Sequence, residues 1–516
     1  MQTSKIGRRS QSNTLGWPQW QGFRTELLVL LGIVPLTIAL SFVRLGHYPT
    51  ISGWDEGMYL LFAHNLAHHG EYATRHGDTF ERLSPSGGTG PTLVVPVALA
   101  LAVSDHQLTA ARVITASYLL LALTGAYLLV RHLAGWPAAV ASLALFLTAG
   151  YPAYDTLWMG RQVLAEVPAM AFLLLGIWVW FKSWHTSWHW TIVSSFLIAA
   201  AVVTKNQFLW VVGPTFALIT LCDYCYYRQL RWHHRLAPII GIIIGYGSWG
   251  LLSLWIIGPE ERTTYLETQS ALTRALFWHF YPQRWLSNLA FLHDSGQWIT
   301  MFLALSYLLY QARQRAEVGL KQLTLLATIG LMLTSFVLIS LPWARLLYPV
   351  LALSAICVAV SLGGVLATLR EHRQLPTIFS ALILLTVVAI LTGPRLAQTT
   401  QRILTTSNSS VVRFADLVDE YVPEEASIGN WEWEVEFYSE RTFVHPPYRL
   451  FAAQVDAVYN QRFSPMLDQP AIPDAAEYLI IGPFADQTLT FSEDLEQRSH
   501  HLLAREGPYR LYQLDP

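Results

Sequence analysis

Long apolar runs separated by short polar segments dominate this chain. Eleven runs reach or approach the ~20 residues needed to cross hydrocarbon. They cover 25–44, 108–130, 136–152, 164–182, 188–204, 207–226, 236–257, 296–312, 321–341, 345–368 and 376–394. Each predicts a membrane-spanning helix, with 136–152 and 188–204 short enough for a tilted or partly re-entrant path. The stretch Gly90 to Ser104 is apolar too, but it has 15 residues and holds Pro91 and Pro96. It is expected to lie at the outer interface or dip in partway.

The polar segments orient these spans. A leader, 1–24, precedes the first run and no small-residue cleavage site follows, so that run is expected to stay as an anchor. With the N-terminus inside, the short inner segments hold Lys5, Arg8, Arg9, Arg131, Lys182, Arg228, Arg231, Arg235, Arg313, Arg315, Lys321, Arg370 and Arg373. That bias is the positive-inside pattern. It leaves two long outer loops, 45–107 and 258–295, within a membrane domain of 25–395, and an outer tail of 396–516. The tail changes period. Ala426–Gly429 and Glu477–Ile481 read as buried strands, Pro508–Tyr512 alternates like another, and Val411–Tyr421 has helical spacing. The expected fold is therefore mainly α: a polytopic helical membrane protein of about eleven spans with outer interfacial helices, plus a small C-terminal α/β soluble domain.

Composition agrees. Of the 516 residues 53% are hydrophobic and 13% charged, with mean hydropathy +0.34. A soluble chain carries about 25% charged residues. The net charge of −2 argues against nucleic acid or any other polyanionic partner. The 20 Trp and 23 Tyr suit interfacial belts. Cys222, Cys225 and Cys357 all lie in apolar runs, and Cys222-x-x-Cys225 has no second pair to complete a zinc site. They read as helix filler, and no metal ligands are assigned. His64 and His68 share a helix face but lack a third ligand.

The candidate chemistry lies on the outer side. Asp55 and Glu56 begin a probable helix, with Ser52 placed as in a capping box. Acids there also favour the helix dipole, which is explanation enough for a plain helix start. The same helix carries Met58, Leu61, Phe62, Asn65 and Leu66 on one face, expected to lie along the membrane surface. Two cations break the inner bias. Lys205 is the one outer lysine of four, and Arg345 sits in the hairpin Pro342-Trp343-Ala344-Arg345-Leu346-Leu347-Tyr348-Pro349. A lipid phosphate at headgroup level would account for both, as would snorkelling. Another outer turn holds Asp155 and Arg161, with Glu166 entering the next span; Arg161 could simply be the ion-pair partner of Glu166. Arg112 opens the second span. The aromatic loop around Trp278 and Trp285 fits a belt or the wall of a sugar site.

Together these motifs resemble the GT-C superfamily of polyprenyl-phosphate-sugar-dependent glycosyltransferases, especially protein O-mannosyltransferases and the lipid A aminoarabinose transferase. The resemblance covers about 25–395, and the tail is similar to those of bacterial members. It rests on Asp55-Glu56-Gly57-Met58-Tyr59 after the first span, on Gly88-Thr89-Gly90-Pro91-Thr92-Leu93 followed by Ala111-Arg112, on Arg161 with Glu166, and on the hairpin with Arg345, Tyr348 and Pro349. A cation that many relatives place before their proline-containing triplet is absent, so its role would pass to Lys205 or the donor would sit differently.

The resemblance implies sugar transfer at the outer face of the cell membrane, with inversion, from a polyprenyl-phosphate sugar to a hydroxyl of a glycan, lipid or protein. It implies catalysis by Asp55 and Glu56, donor-phosphate binding by Lys205, Arg345 and Tyr348, and orientation of acceptor or sugar by Glu166, Arg161, Asp155 and Arg112. Glu56 and Glu166 could also hold a divalent cation, since members differ in metal need; no other cofactor is implied. One rival is a polytopic transporter or lipid-linked glycan flippase. Another is an assembly protein whose Trp431-Glu432-Trp433-Glu434 stretch is a recognition surface.

Overall fold

The computed structural model describes residues 19–47, 53–83, 89–104, 107–152, 154–277, 281–373, 376–407, 409–460, 462 and 464–515. Most of the leader, Ser52 and Trp278 lie outside them. Every expected span coincides with a helix. Among the described residues, eight helices are long and apolar enough to cross a membrane, including Gln107–Ala134, Glu166–Ser183, Glu317–Leu338 and Ala344–Arg373. Four more are apolar but shorter: Pro91–Ala102, Trp136–Leu147, Trp188–Thr204 and Trp298–Ala312. The chain is a multi-pass membrane protein, mainly helical, with a small C-terminal sheet domain.

Burial divides the helices into layers. Glu166–Ser183 and the first half of Ala344–Arg373 are almost wholly enclosed by their neighbours. The peripheral helices instead show large apolar side chains outward, such as Leu28 and Leu31 near one end of the chain and Ile243, Leu251 and Trp255 on Trp232–Leu276. In water such a surface would be a liability; facing acyl chains it is the expected exterior. Trp232–Leu276 is two helices joined at Gly258, whose φ of +80° is open to glycine, with Pro259 starting the second segment.

The loop 45–107 is not loose. It contains the helix Gly53–His69 and the antiparallel hairpin β1 (Ala73–His76) and β2 (Thr79–Arg82). A two-residue pair, β3 (Gly150–Tyr151) with β4 (Tyr154–Asp155), shapes another turn.

The C-terminal domain holds β5 (Ser427–Gly429), β6 (Thr442–Val444), β7 (Tyr478–Ile481), β8 (His500–Glu506) and β9 (Tyr509–Leu514) in the order β6-β5-β7-β9-β8. β5 runs parallel to β6 and β7, and β9 antiparallel to β7 and β8. The run Tyr478-Leu479-Ile480-Ile481 is apolar throughout because both faces are covered. Tyr478 and Ile480 pack under the helix Ser409–Tyr421, which presents Val411, Phe414, Ala415 and Val418. Leu479 and Ile481 face the other way and join the core of the membrane domain. The tail thus shares a hydrophobic core with the bundle.

That docking changes the environment of Gly53–His69. Residues 56–63 are buried on every side, so the helix does not lie with one face along the membrane surface as its pattern predicts. A Cβ at Gly57 would collide with the backbone of Trp433 and Glu434. Trp431, Glu432, Trp433 and Glu434 are themselves buried. The stretch that offers itself as a recognition surface is the seam between tail and bundle.

A candidate active site at the seam between bundle and tail

Adjacent residues on a helix point about 100° apart, and this separates Asp55 from Glu56. Glu56 turns inward and is fully buried. Its Oε1 and Oε2 accept bonds from Arg112 Nε at 2.7 Å and Nη2 at 2.8 Å. Oε1 also accepts the Val163 N–H at 2.9 Å, and Arg112 Nη1 donates to the Leu45 carbonyl at 2.8 Å. One ion pair therefore ties four separate chain segments together. The resemblance implies that Glu56 works beside Asp55 and that Arg112 orients a ligand; among the described residues, neither lines the neighbouring cavity.

Asp55 turns the other way and meets Arg345. Arg345 Nε lies 3.5 Å from Glu166 Oε1, and Lys205 Nζ lies 3.1 Å from the same oxygen. Lys205 also donates to the Tyr59 hydroxyl at 3.4 Å. Two acids and two cations, contributed by four elements, form one chain of contacts. Their placement follows from helix ends. Asp55 and Glu166 occupy first turns, where the dipole favours carboxylates. Lys205 follows directly on Trp188–Thr204, with a bridge to Thr89. Arg345 is the second residue of Ala344–Arg373. A cation at a helix N-terminus opposes the dipole, and the two facing carboxylates offset that cost.

These groups open on a cavity of about 430 Å³. Asp55, Tyr59, Lys205 and Arg345 line one side. Leu266, Leu272, Leu276 and Phe277, from the segment after the Gly258 kink, line another. A second cavity of about 420 Å³ shares Asn206, Tyr246, Leu266 and Gln269 with the first. Its walls are chiefly apolar, including Phe62, Tyr72, Trp249 and Leu251. A charged chamber thus adjoins a greasy one.

Among the other expected site residues, Asp155, Arg161 and Glu166 have structural partners. Asp155 caps the short helix Thr156–Met159 through the Trp158 N–H at 2.9 Å and accepts the Thr399 hydroxyl at 2.6 Å. The Arg161 guanidinium donates to the carbonyls of Leu40 and Val43, while Glu166 takes Lys205 and Arg345 as partners. Tyr348 is fully buried one turn beyond Arg345 and does not line the cavity. The resemblance implies that Asp155, Arg161 and Tyr348 contact donor or acceptor; here Asp155 and Arg161 bond to other parts of the protein, and Tyr348 lies off the cavity lining. As for a divalent cation, no group of three or more His, Cys, Asp or Glu among the described residues is arranged to hold one. Glu56 and Glu166 already face cations of the protein, so this donor set does not fit a metal.

Three aromatic residues went unrecognised in the sequence. Trp54 and Trp343 line the cavity with buried indole N–H groups that have no hydrogen-bond partner among the described residues, and Phe451 comes from the tail. Trp54 stacks on Phe484 at 4.7 Å and Phe451 at 5.6 Å, and meets Trp433 edge-on at 6.2 Å. The tail therefore grips the residue beside Asp55. The grip is backed by carboxyls deprived of water. Glu432 accepts the Phe484 and Ala485 N–H groups, and Glu434 accepts the Tyr509 hydroxyl at 2.9 Å. Burial, then the neighbouring Glu434, raises the Glu432 carboxyl well above its usual range, and burial pushes Glu434 up to about 6.

No family profile matches the sequence, and no curated protein does. Solved structures do match. ArnT from Cupriavidus metallidurans bound to undecaprenyl phosphate aligns at TM-score 0.60 and 15% identity, over 95% of this chain and 98% of that one. The archaeal oligosaccharyltransferase AglB from Archaeoglobus fulgidus, in complex with an inhibitory peptide and a dolichol-phosphate, aligns at TM-score 0.61 and 11% identity, over 96% of this chain and 74% of that one. The same oligosaccharyltransferase tethered to an acceptor peptide gives TM-score 0.59 and 13% identity, over 92% and 71%. The chain has the fold of these proteins, the GT-C fold.

Proposed function

We propose that this chain is a membrane glycosyltransferase that moves a sugar from a polyprenyl-phosphate donor to an acceptor hydroxyl on the extracytoplasmic face, inverting the anomeric centre. The observation that carries the reading is the convergence of Asp55, Lys205 and Arg345, with Glu166 behind both cations, on one chamber next to an apolar one. A phosphate sugar and its lipid chain need that pair of environments. Two neighbours with this fold were solved with polyprenyl-type phosphates, undecaprenyl phosphate in ArnT and dolichol-phosphate in AglB, which supports the donor class.

The roles follow from charge. The donor phosphate engages Lys205 and Arg345 through charge-assisted bonds. Arg345 then exchanges Asp55 for the phosphate, and the released carboxylate is free to act as base. Asp55 takes the acceptor proton as the acceptor oxygen bonds to the anomeric carbon. The bond from that carbon to the phosphate oxygen breaks, and the electron pair leaves on the lipid phosphate, where Lys205 and Arg345 stabilise it. Glu166 keeps both cations aimed at the phosphate. The acceptor is a hydroxyl of a glycan, lipid or protein, and the apolar chamber takes the start of the lipid chain.

The experiment is mass spectrometry of the protein in nanodiscs supplied with native membrane lipids. The reading expects free polyprenyl phosphate to appear with a glycosylated acceptor, and Asp55→Asn to stop it while donor binding persists. Uptake of a solute by proteoliposomes with no transfer product would support the transporter instead.

A further inference from the structure

A third cavity, of about 710 Å³, lies on the far side of the aromatic seam. Three pieces of chain build it: the hairpin β1–β2, the segment after the Gly258 kink, and the tail. The hairpin is fastened to the tail at the edge strand β6, where the Gly77 N–H donates to the Phe443 carbonyl at 2.7 Å. One aromatic layer divides this cavity from the charged chamber. Tyr448 lines it, the Tyr448 ring is 5.7 Å from Trp431, Trp431 is 6.4 Å from Trp54, and Trp54 lines the chamber.

The lining is chemically one-sided. Phe80, Tyr448, Pro446 and Pro473 give flat C–H and ring surfaces. His76, His445, Glu81 and Glu261 give hydrogen-bonding groups. No lysine or arginine is among the described residues that line it. The two histidines are held in place. His445 Nδ1 bonds the Asn430 carbonyl at 2.9 Å, its Nε2 lies 3.0 Å from Glu436, and its backbone N–H donates to His76 Nδ1 at 3.3 Å. Burial pushes the Glu81 carboxyl up to about 7, so near neutral pH it can both donate to and accept from a hydroxyl.

We propose that this cavity is a second binding site, for an uncharged saccharide, held by hydroxyl bonds to Glu81, Glu261 and His76 and by packing on Phe80 and Tyr448. Its size falls in the range of about 300–1,000 Å³ usual for ligand sites. The acidic lining, with no lysine or arginine among its described residues, repels phosphorylated sugars and uronates, the opposite selectivity to the chamber with Lys205 and Arg345. The site goes beyond the transfer reading: it would bind sugar whether or not the chamber transfers one.

The test is the labelled full-length protein in nanodiscs on a printed array of uncharged, amine-bearing, uronate-bearing and phosphorylated saccharides. Retention on uncharged saccharides is expected, falling about tenfold or more in Phe80→Ala and in Glu81→Ala. Undiminished binding of dolichyl phosphate by both variants shows that they are folded. An array with no uncharged saccharide retained, a preference for anionic or amine-bearing ones, or equal binding by the variants overturns the proposal. Arg345→Ala should lose dolichyl phosphate and keep the array pattern, so failure of the chamber and failure of this site read out separately.

Discussion

The ion pair of Glu56 and Arg112 sets the sharpest division between structure and chemistry in this protein. Both side chains are wholly buried, and the pair's bonds to described residues include two between themselves, one from Val163 and one to Leu45. Replacing Arg112 with Met strands a carboxylate with one backbone N–H for company. Removing one member of a buried pair costs about 3–5 kcal/mol, whereas replacing both by apolar groups of similar size is often neutral. Arg112→Met and Glu56→Met should therefore each lower stability by about 3–5 kcal/mol. The double variant should recover about 2 kcal/mol or more relative to the sum of the singles. The assay is equilibrium unfolding of the nanodisc protein, read by loss of protease resistance, alongside donor binding under conditions where each variant is folded. Donor affinity should stay within about threefold of the parent there. Unchanged stability in Glu56→Met combined with abolished transfer would refute the reasoning and return Glu56 to the catalytic machinery.

Arg345→Ala leaves two carboxylates facing Lys205 alone, so donor affinity should drop by about 2–5 kcal/mol, roughly 30-fold to several thousand-fold in Kd measured with dolichyl phosphate; an unchanged Kd removes its phosphate role. Gly57→Ala forces the acidic helix away from the Trp433–Glu434 backbone, and transfer should fall with donor affinity retained; faster hydrogen exchange at 431–434 is the accompanying sign. The raised Glu434 carboxyl binds its proton more tightly in the folded state than its ordinary value of 4.5 allows, so its contribution is full below about pH 4.5 and lost as pH rises through about 6. Trp fluorescence of the full chain should report a seam that loosens over that window, and Glu434→Gln should flatten the response.

Run length and stray charges were the readable part of the sequence. Spans follow from apolar length alone, and strands such as Tyr478–Ile481 follow from an apolar run too short for a helix. Lys205 and Arg345 stood out because they break the inner bias, and the fold places both against Glu166. What could not be read depends on partners far away in sequence. Asp55 and Glu56 look alike locally; only the distant Arg112 and Val163 distinguish them. The helix Gly53–His69 looks one-sided because its cover, Trp431 to Glu434, lies nearly four hundred residues further on. Trp54 and Trp343 read as belt aromatics, and it is the tail, through Phe451 and Phe484, that turns Trp54 toward the chamber.

The proposed transfer needs Asp55 as base on the acceptor hydroxyl while Lys205 and Arg345 grip the donor. The most direct measurement is single-turnover release of polyprenyl phosphate by Asp55→Asn, followed by mass spectrometry with the donor prebound. Release slowed about a hundredfold or more, with the donor still bound, is the result expected for a lost general base. Release at the parental rate would contradict it.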